Sequence, residues 1–163
     1  MNRIFRKATL DEVEQIYRLY VDRVKWMDEQ KLSGWNTTNY LARYPIEYYA
    51  EQCRLGQLYV LREENSLLGA VVLLREDERW SGKEKLTAYY VHNFVTMPGM
   101  KGAGSEMLEE IERMADAESL QAVRLDCSMH NETLNNYYGS RGYKPSGECN
   151  DGPYYGCLRE KKL

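Results

Sequence analysis

Residues 89–105 read YYVHNFVTMPGMKGAGS, a run of β-branched and aromatic residues that breaks at Pro98-Gly99 and resumes after Gly102 as a helical pattern. A strand that turns through glycines into a helix restricts what the chain can become. The helix start exposes N–H groups and the positive end of the backbone dipole, which favours phosphate. Gly102 and Gly104 have no Cβ to hold an anion away from the backbone. Glycine at a helix start is also common without any ligand, so a purely structural turn stays open on this segment alone. Familiar nucleotide signatures do not fit. There is no GxxxxGK[ST], and the string Gly102-Ala103-Gly104-Ser105-Glu106-Met107 departs from GxGxxG at its third glycine.

The rest of the chain continues the alternation of strand and helix. Arg3 to Lys7 reads as a first strand, followed by a capping box at Thr9-Leu-Asp-Glu12. Val13, Ile16, Tyr17, Leu19, Tyr20, Val24 and Met27 then keep one helical face apolar, and that helix should fade before Ser33-Gly34. Pro45 suits the first turn of a second helix over Ile46 to Leu55. Gln57 to Arg62 and Leu67 to Leu74 flank a hairpin turn, and Leu86 to Thr96 is a third strand run. Met107, Leu108, Ile111 and Met114 mark a helix from Gly102. Ala122 to Cys127 is a short buried strand, Asn131 to Arg141 a helix, and Tyr143 onward two terminal strands. The order β-α-α-β-β-β-α-β-α-β-β predicts an α/β protein, with a mixed sheet of about seven strands flanked by about four helices.

Composition narrows the partners. The 163 residues suit one domain spanning 1–163, able to bury about 70 % of the extended chain's area. A net charge of −3 gives no global positive field for nucleic acid. No apolar run approaches the roughly 20 residues needed to span a bilayer, and the charged N-terminus has no apolar stretch behind it as a secretory signal would. The four cysteines lack CxxC spacing, which points to reduced thiols in a cytoplasmic protein and to no zinc site.

A second segment sharpens the first. Asn131-Glu-Thr-Leu134-Asn-Asn-Tyr137-Tyr138-Gly-Ser-Arg-Gly142-Tyr143 opens at an N-cap and closes at a glycine followed by an aromatic strand residue. Alone, Tyr138 is a packing residue as readily as a catalyst. Together the two segments resemble the GNAT superfamily of acyl-CoA-dependent N-acetyltransferases, over nearly the whole chain in element order and most sharply from His92 to Tyr143. The family pattern N-x-x-(small or apolar)-x-x-(aromatic)-Y-x-x-x-G-(aromatic) is met throughout, and Gly102-Ala103-Gly104 matches the end of its pyrophosphate loop, R/Q-x-x-G-x-G/A. The loop departs at its first position, where Gly99 stands for Arg or Gln, and the link from Pro98 to Gly102 is about two residues short of the family norm. Lys101 is placed to supply some of the missing charge.

The resemblance implies the rest of the site. The strand before the loop would splay from its parallel neighbour, and the pantetheine of acetyl-CoA would insert as a pseudo-strand along Phe94, Val95, Thr96 and Met97. The diphosphate would sit over Met100, Lys101, Gly102, Ala103, Gly104 and Ser105, with Asn131 contacting the pantetheine arm and Tyr138 also binding the cofactor. A neutral amine would attack the thioester directly in a ternary complex, with Tyr138 as the acid for the departing thiolate. His92 lies near the family's strand base, and an imidazole, ordinarily near pKa 6.5, suits that task. Asp126 is a second candidate, and a merely structural polar contact for His92 stays open. His130 is expected to hydrogen-bond near the following helix start, and Cys127 has no neighbour in sequence that marks it as a nucleophile.

The acceptor would be a primary amine of a small molecule or peptide. Trp26, Trp35, Tyr40, Tyr44, Tyr48 and Tyr49, with Asp28, Glu29 and Glu47 among them, would suit an ammonium group. The same rings are equally what packing helices against a sheet requires. The resemblance further allows a homodimer. The alternative function is a non-catalytic acyl-CoA-binding sensor, which the altered loop would accommodate.

Overall fold

A computed structural model describes residues 2–163. Seven strands, β1 (Arg3–Lys7), β2 (Leu58–Glu63), β3 (Ser66–Leu74), β4 (Ala88–Thr96), β5 (Ala122–Ser128), β6 (Lys144–Asp151) and β7 (Tyr154–Lys162), form one mixed sheet. Their order is β1-β2-β3-β4-β5-β7-β6. β4 and β5 pair in parallel, whereas β1–β2, β2–β3, β5–β7 and β6–β7 are antiparallel. The helices are α1 (Val13–Glu29), α2 (Tyr40–Arg43), α3 (Ile46–Arg54), α4 (Ala103–Ala117) and α5 (Glu132–Ser140). The α/β class, the seven strands and the flanking helices agree with the sequence expectation, and among the described residues the helices number five, one beyond the four that the sequence marked. The addition is α2, a single turn entered through Asn39 in the left-handed region at φ 58°, too short for any apolar period to mark.

Contacts divide the chain into two compact units. The first comprises residues 2–73 with Asn93–Glu110, and the second Leu74–His92 with Ile111–Leu163. In the first, the Thr9–Glu12 box forms, but it opens onto a 3-10 turn over Leu10–Glu12 before α1 begins. The Thr9 N–H donates to the Glu12 carboxylate at 2.9 Å, and the Arg6 guanidinium forks onto the same group at 2.8 and 3.0 Å. α1 then buries Val13, Ile16, Leu19 and Tyr20, the face its periodicity marks, and ends at Glu29, four residues short of Ser33. Pro45, at φ −72°, caps α3.

The Arg6 hydrogen bonds outweigh the burial that opposes them and, helped by the Thr9 N–H, hold the Glu12 carboxyl at about 2 against an ordinary 4.5. A carboxyl depressed in the folded state contributes stability that is whole above about pH 4.5 and lost as pH falls toward 2. Acid denaturation of Glu12→Gln therefore shows a weaker dependence on pH in that window than the wild type. Identical slopes would remove Glu12 from the account.

β3 carries a glycine for reasons of space. A Cβ on Gly69 would lie 2.9 Å from the Val95 carbonyl oxygen and 2.5 Å from Met107 Sδ. Met107 can swing aside, but the β4 backbone cannot, so Gly69→Ala is expected to cost about 1–3 kcal/mol. Urea denaturation checks this, and an unchanged midpoint would contradict it.

In the second unit, the fully buried Arg124 of β5 donates to Glu160 at 2.6 Å, to the Tyr90 hydroxyl at 2.9 Å and to the Glu84 carbonyl at 2.7 Å. Its guanidinium also lies 4.5 Å from the Trp80 ring centroid. These bonds tie the 75–87 connection, including a 3-10 turn over Glu78–Trp80, to the sheet. Among the described residues, no helix is long and apolar enough to cross a membrane.

Candidate active site

The parallel ladder of β4 with β5 runs from Ala88↔Ala122 to Tyr90↔Arg124, although β4 itself continues to Thr96. Just beyond lies Asn93, buried within β4 yet left-handed at φ 53°. Three tyrosines hold it there. The Tyr20 hydroxyl donates to the Asn93 carbonyl at 2.6 Å, Tyr48 donates to Asn93 Oδ1 at 2.8 Å, and Asn93 Nδ2 donates to the Tyr40 hydroxyl at 2.5 Å. Burial pushes the Tyr20 and Tyr40 phenols well above their ordinary range, so both stay protonated.

Tyr40 and Tyr48 belong to the aromatic segment whose role the sequence left open, and Tyr20 to the inward face of α1. Trp35 stacks on Tyr40 at 4.2 Å and Tyr20 on Tyr49 at 4.4 Å, while Tyr44 and Tyr48 meet edge-on at 4.9 Å. Arg23 covers Trp26 at 4.7 Å, and Asp28 accepts from Asn36 at 2.8 Å. The packing role is the one these contacts realise.

The expected cofactor residues from Phe94 to Ser105 fall in the first unit. The Met97 N–H donates to the Leu68 carbonyl at 2.8 Å, which aims Met97, and by strand alternation Val95, toward β3. Phe94 and Thr96 face the other edge. There Arg23 of α1 donates to both the Thr96 carbonyl and its hydroxyl. The open edge of the expected pairing segment is thus narrowed to Phe94 and the Thr96 N–H. The turn after β4 is built by hydrogen bonds from Met100 N–H to the Met97 carbonyl (3.3 Å) and from Ala103 N–H to the Met100 carbonyl (3.5 Å). Glu106 N–H donates to the Gly102 carbonyl at 3.0 Å. Lys101, Gly102 and Gly104 carry amides outside those three bonds.

Gly99 and Gly102 sit at φ 84° and 81°, and a Cβ on either would meet nothing within 4 Å. That is room for a group to approach the backbone. Gly104 lies against β4, where its Cβ would be 3.7 Å from the Phe94 ring and 3.8 Å from Thr96. The structure therefore brings Phe94, Thr96 and the start of α4 together. Val95 and Ala103 are buried, so they offer backbone rather than side chain. Ser105 lies in the first turn of α4, and Lys101 is exposed.

His92, Asp126, Asn131 and Tyr138 lie in the second unit. His92 Nε2 is 2.8 Å from Asp77 Oδ2. Asp77 also caps the 3-10 turn, its Oδ1 accepting from Arg79 N–H at 2.9 Å. Burial alone would raise the Asp77 carboxyl, but the His92 hydrogen bond and charge, with the Arg79 backbone and guanidinium, hold it below the ordinary range. Asp126 is committed elsewhere: it accepts from Arg79 at 3.2 and 3.3 Å and from the Tyr154 hydroxyl at 2.5 Å.

Asn131 caps α5, its Oδ1 accepting from Leu134 N–H at 3.0 Å. Tyr138 is buried on α5 against Tyr143, with ring centroids 6.0 Å apart, and burial raises its phenol far above the ordinary range. Burial likewise pushes the nearby Cys127 thiol up to about 12, which leaves it protonated and unsuited to attack. His130 contributes its carbonyl to the Glu132 N–H at 3.2 Å, and its ring lies 5.9 Å from Tyr155.

The sequence pattern did not reveal Asp77 or the tyrosine clamp on Asn93. Asp77 precedes His92 by fifteen residues in a connection without period, so no spacing links them. A lone Asn inside a strand was the visible signal for Asn93.

Comparison with known proteins decides the family. The model of the acetyltransferase (GNAT) family matches residues 14–143. The chain belongs to this family. GNAT relatives are distant in sequence and close in fold. The uncharacterized N-acetyltransferase YesJ of Bacillus subtilis (strain 168) is 22 % identical over 149 residues, covering 86 % of this chain and 81 % of YesJ. A GNAT acetyltransferase structure from Listeria monocytogenes 4b F2365 superimposes with a TM-score of 0.80 at 23 % identity, over 99 % of this chain and 95 % of that one. The PaiA N-acetyltransferase of Thermoplasma acidophilum, solved in complex with coenzyme A, gives a TM-score of 0.76 at 18 % identity over the full length of both chains.

Proposed function

We propose that this GNAT protein transfers the acetyl group of acetyl-CoA to a primary amine of a small molecule or peptide, by direct attack within a ternary complex. The observation that carries the proposal is the family match over residues 14–143, which contains every residue given a role below. The residues present suit the cosubstrate. The Phe94 backbone and the Thr96 N–H form an edge for the pantetheine amides, while Val95 and Met97 stay on the β3 side. The turn from Met100 through Lys101, Gly102, Ala103, Gly104 and Ser105 holds the diphosphate, chiefly through amides outside the turn's own bonds. The open positions of Gly99 and Gly102 support that assignment. The family pattern assigns Asn131 and Tyr138 to cofactor binding as well.

Acetyl-CoA supplies the activated acyl group. His92 takes the amine proton as nitrogen bonds to the carbonyl carbon, and Tyr138 gives its proton to the departing sulfur. Because Asp126 is held by Arg79 and Tyr154, it is the poorer base.

The test is release of free coenzyme A thiol across a panel of primary amines. Amine-dependent release is expected. Silence across a broad panel, in a protein that still binds acetyl-CoA, would overturn the enzyme in favour of the acyl-CoA-binding sensor.

A further inference from the structure

We infer that Asp77 is a positioning residue for His92, fixing the imidazole as its Nε2–H tautomer so that Nδ1 is the nitrogen that takes the proton. The inference rests on the reading of His92 as base. Its ground is geometric. Asp77 Oδ2 lies 2.8 Å from His92 Nε2, and an ionised carboxylate can only accept, so the proton of the neutral ring sits on Nε2. Nδ1 is left with its lone pair.

The carboxylate is itself held in place. Its other oxygen accepts from Arg79 N–H at 2.9 Å as the cap of the 3-10 turn, and that turn ends at the buried Trp80 under the Arg124 guanidinium. The side chains of His92 and Asp77 are only 13 % and 8 % exposed, so water competes little for the bond. The charged groups gathered around the pair are Arg79 on the same turn, Asp126 on β5 and Asp151 on β6. Arg79 joins those two carboxylates, at 3.2 Å to Asp126 and 2.9 Å to Asp151. Tyr154 of β7 donates to Asp126, and the Cys149 thiol of β6, which feels both Asp77 and Asp126, is pushed up to about 11, chiefly by burial. The catalytic role of the bond is to orient the ring and to stabilise the imidazolium that forms as the amine loses its proton.

Asp77→Asn separates positioning from structure. The amide keeps an oxygen to cap the Arg79 N–H, so the turn survives, but its NH2 now donates to His92 Nε2. That forces the ring proton onto Nδ1 and disables the base. Nitrogen-15 NMR of histidine-labelled protein should show His92 as Nε2–H in the wild type at a pH where the ring is neutral, and as Nδ1–H in the variant. The variant's kcat should fall about tenfold or more, with acetyl-CoA affinity unchanged.

A wild-type ring in the Nδ1–H tautomer would overturn the inference without any variant. So would an Asp77→Asn protein whose tautomer and rate match the wild type, or one that loses acetyl-CoA affinity in step with activity. If His92→Ala retains full turnover, the reading of His92 as base fails, while the tautomer result stands on its own.

Discussion

Tyr138→Phe is expected to lower kcat about 100- to 1,000-fold while acetyl-CoA affinity and thermal stability stay near wild type. The change deletes one oxygen from a buried ring that otherwise keeps its packing against Tyr143 and Tyr137. Burial holds the phenol protonated at neutral pH, with the neighbouring Cys127 and Tyr137 adding to the effect. Such a group gives up a proton only to a strong base that forms beside it. In the proposed reaction, the thiolate expelled from the thioester forms beside it and takes that proton. Steady-state kinetics with calorimetric measurement of acetyl-CoA binding checks the assignment. Unchanged turnover would remove Tyr138 from the chemistry and return it to packing.

The second large effect concerns the backbone. Asn93→Ala is expected to destabilise the protein by about 3 kcal/mol. About 1–2 kcal/mol comes from forcing alanine into the left-handed region. The remainder comes from the buried Tyr40 hydroxyl and the part-buried Tyr48 hydroxyl, each of which loses its amide partner. For a chain of this length that corresponds to a fall in Tm of roughly 6–12 °C. Asn93→Gly should restore the backbone share and leave the hydroxyl share lost, so its Tm falls between the two. Both variants should also weaken acetyl-CoA binding, since relaxing residue 93 re-aims Phe94 and Thr96. Scanning calorimetry measures the first effect, and an Asn93→Ala protein melting with the wild type would refute the clamp.

The clamp also shows where sequence reasoning stopped. Elements with a period were legible: the apolar face of α1, the β2–β3 hairpin, the α4 start after Gly102 and the Asn131 cap all stand where pattern and capping chemistry put them. The short α2 was not legible, because one turn carries no period. The tyrosines from Tyr40 to Tyr49 were legible as a group but not in their role. A phenol's hydroxyl can face a ligand or the protein's own backbone, and only the position of Asn93 decides which. Asp77 and Arg79 were hidden for a related reason. Their partners lie fifteen and 47 residues away, joined by the fold rather than by spacing. Arg124 in the apolar strand AVRLDC was a visible oddity, since a charge there must find partners, yet the sequence does not say that one of them is the carbonyl of Glu84.

The most direct trial of the account is a calorimetric titration with acetyl-CoA, run beside ATP and NAD. The backbone edge at Phe94 and Thr96, with the turn from Met100 to Ser105, predicts saturable binding of one acetyl-CoA per chain and no comparable heat from the other two. A flat titration with acetyl-CoA, or equal binding of ATP, would contradict it.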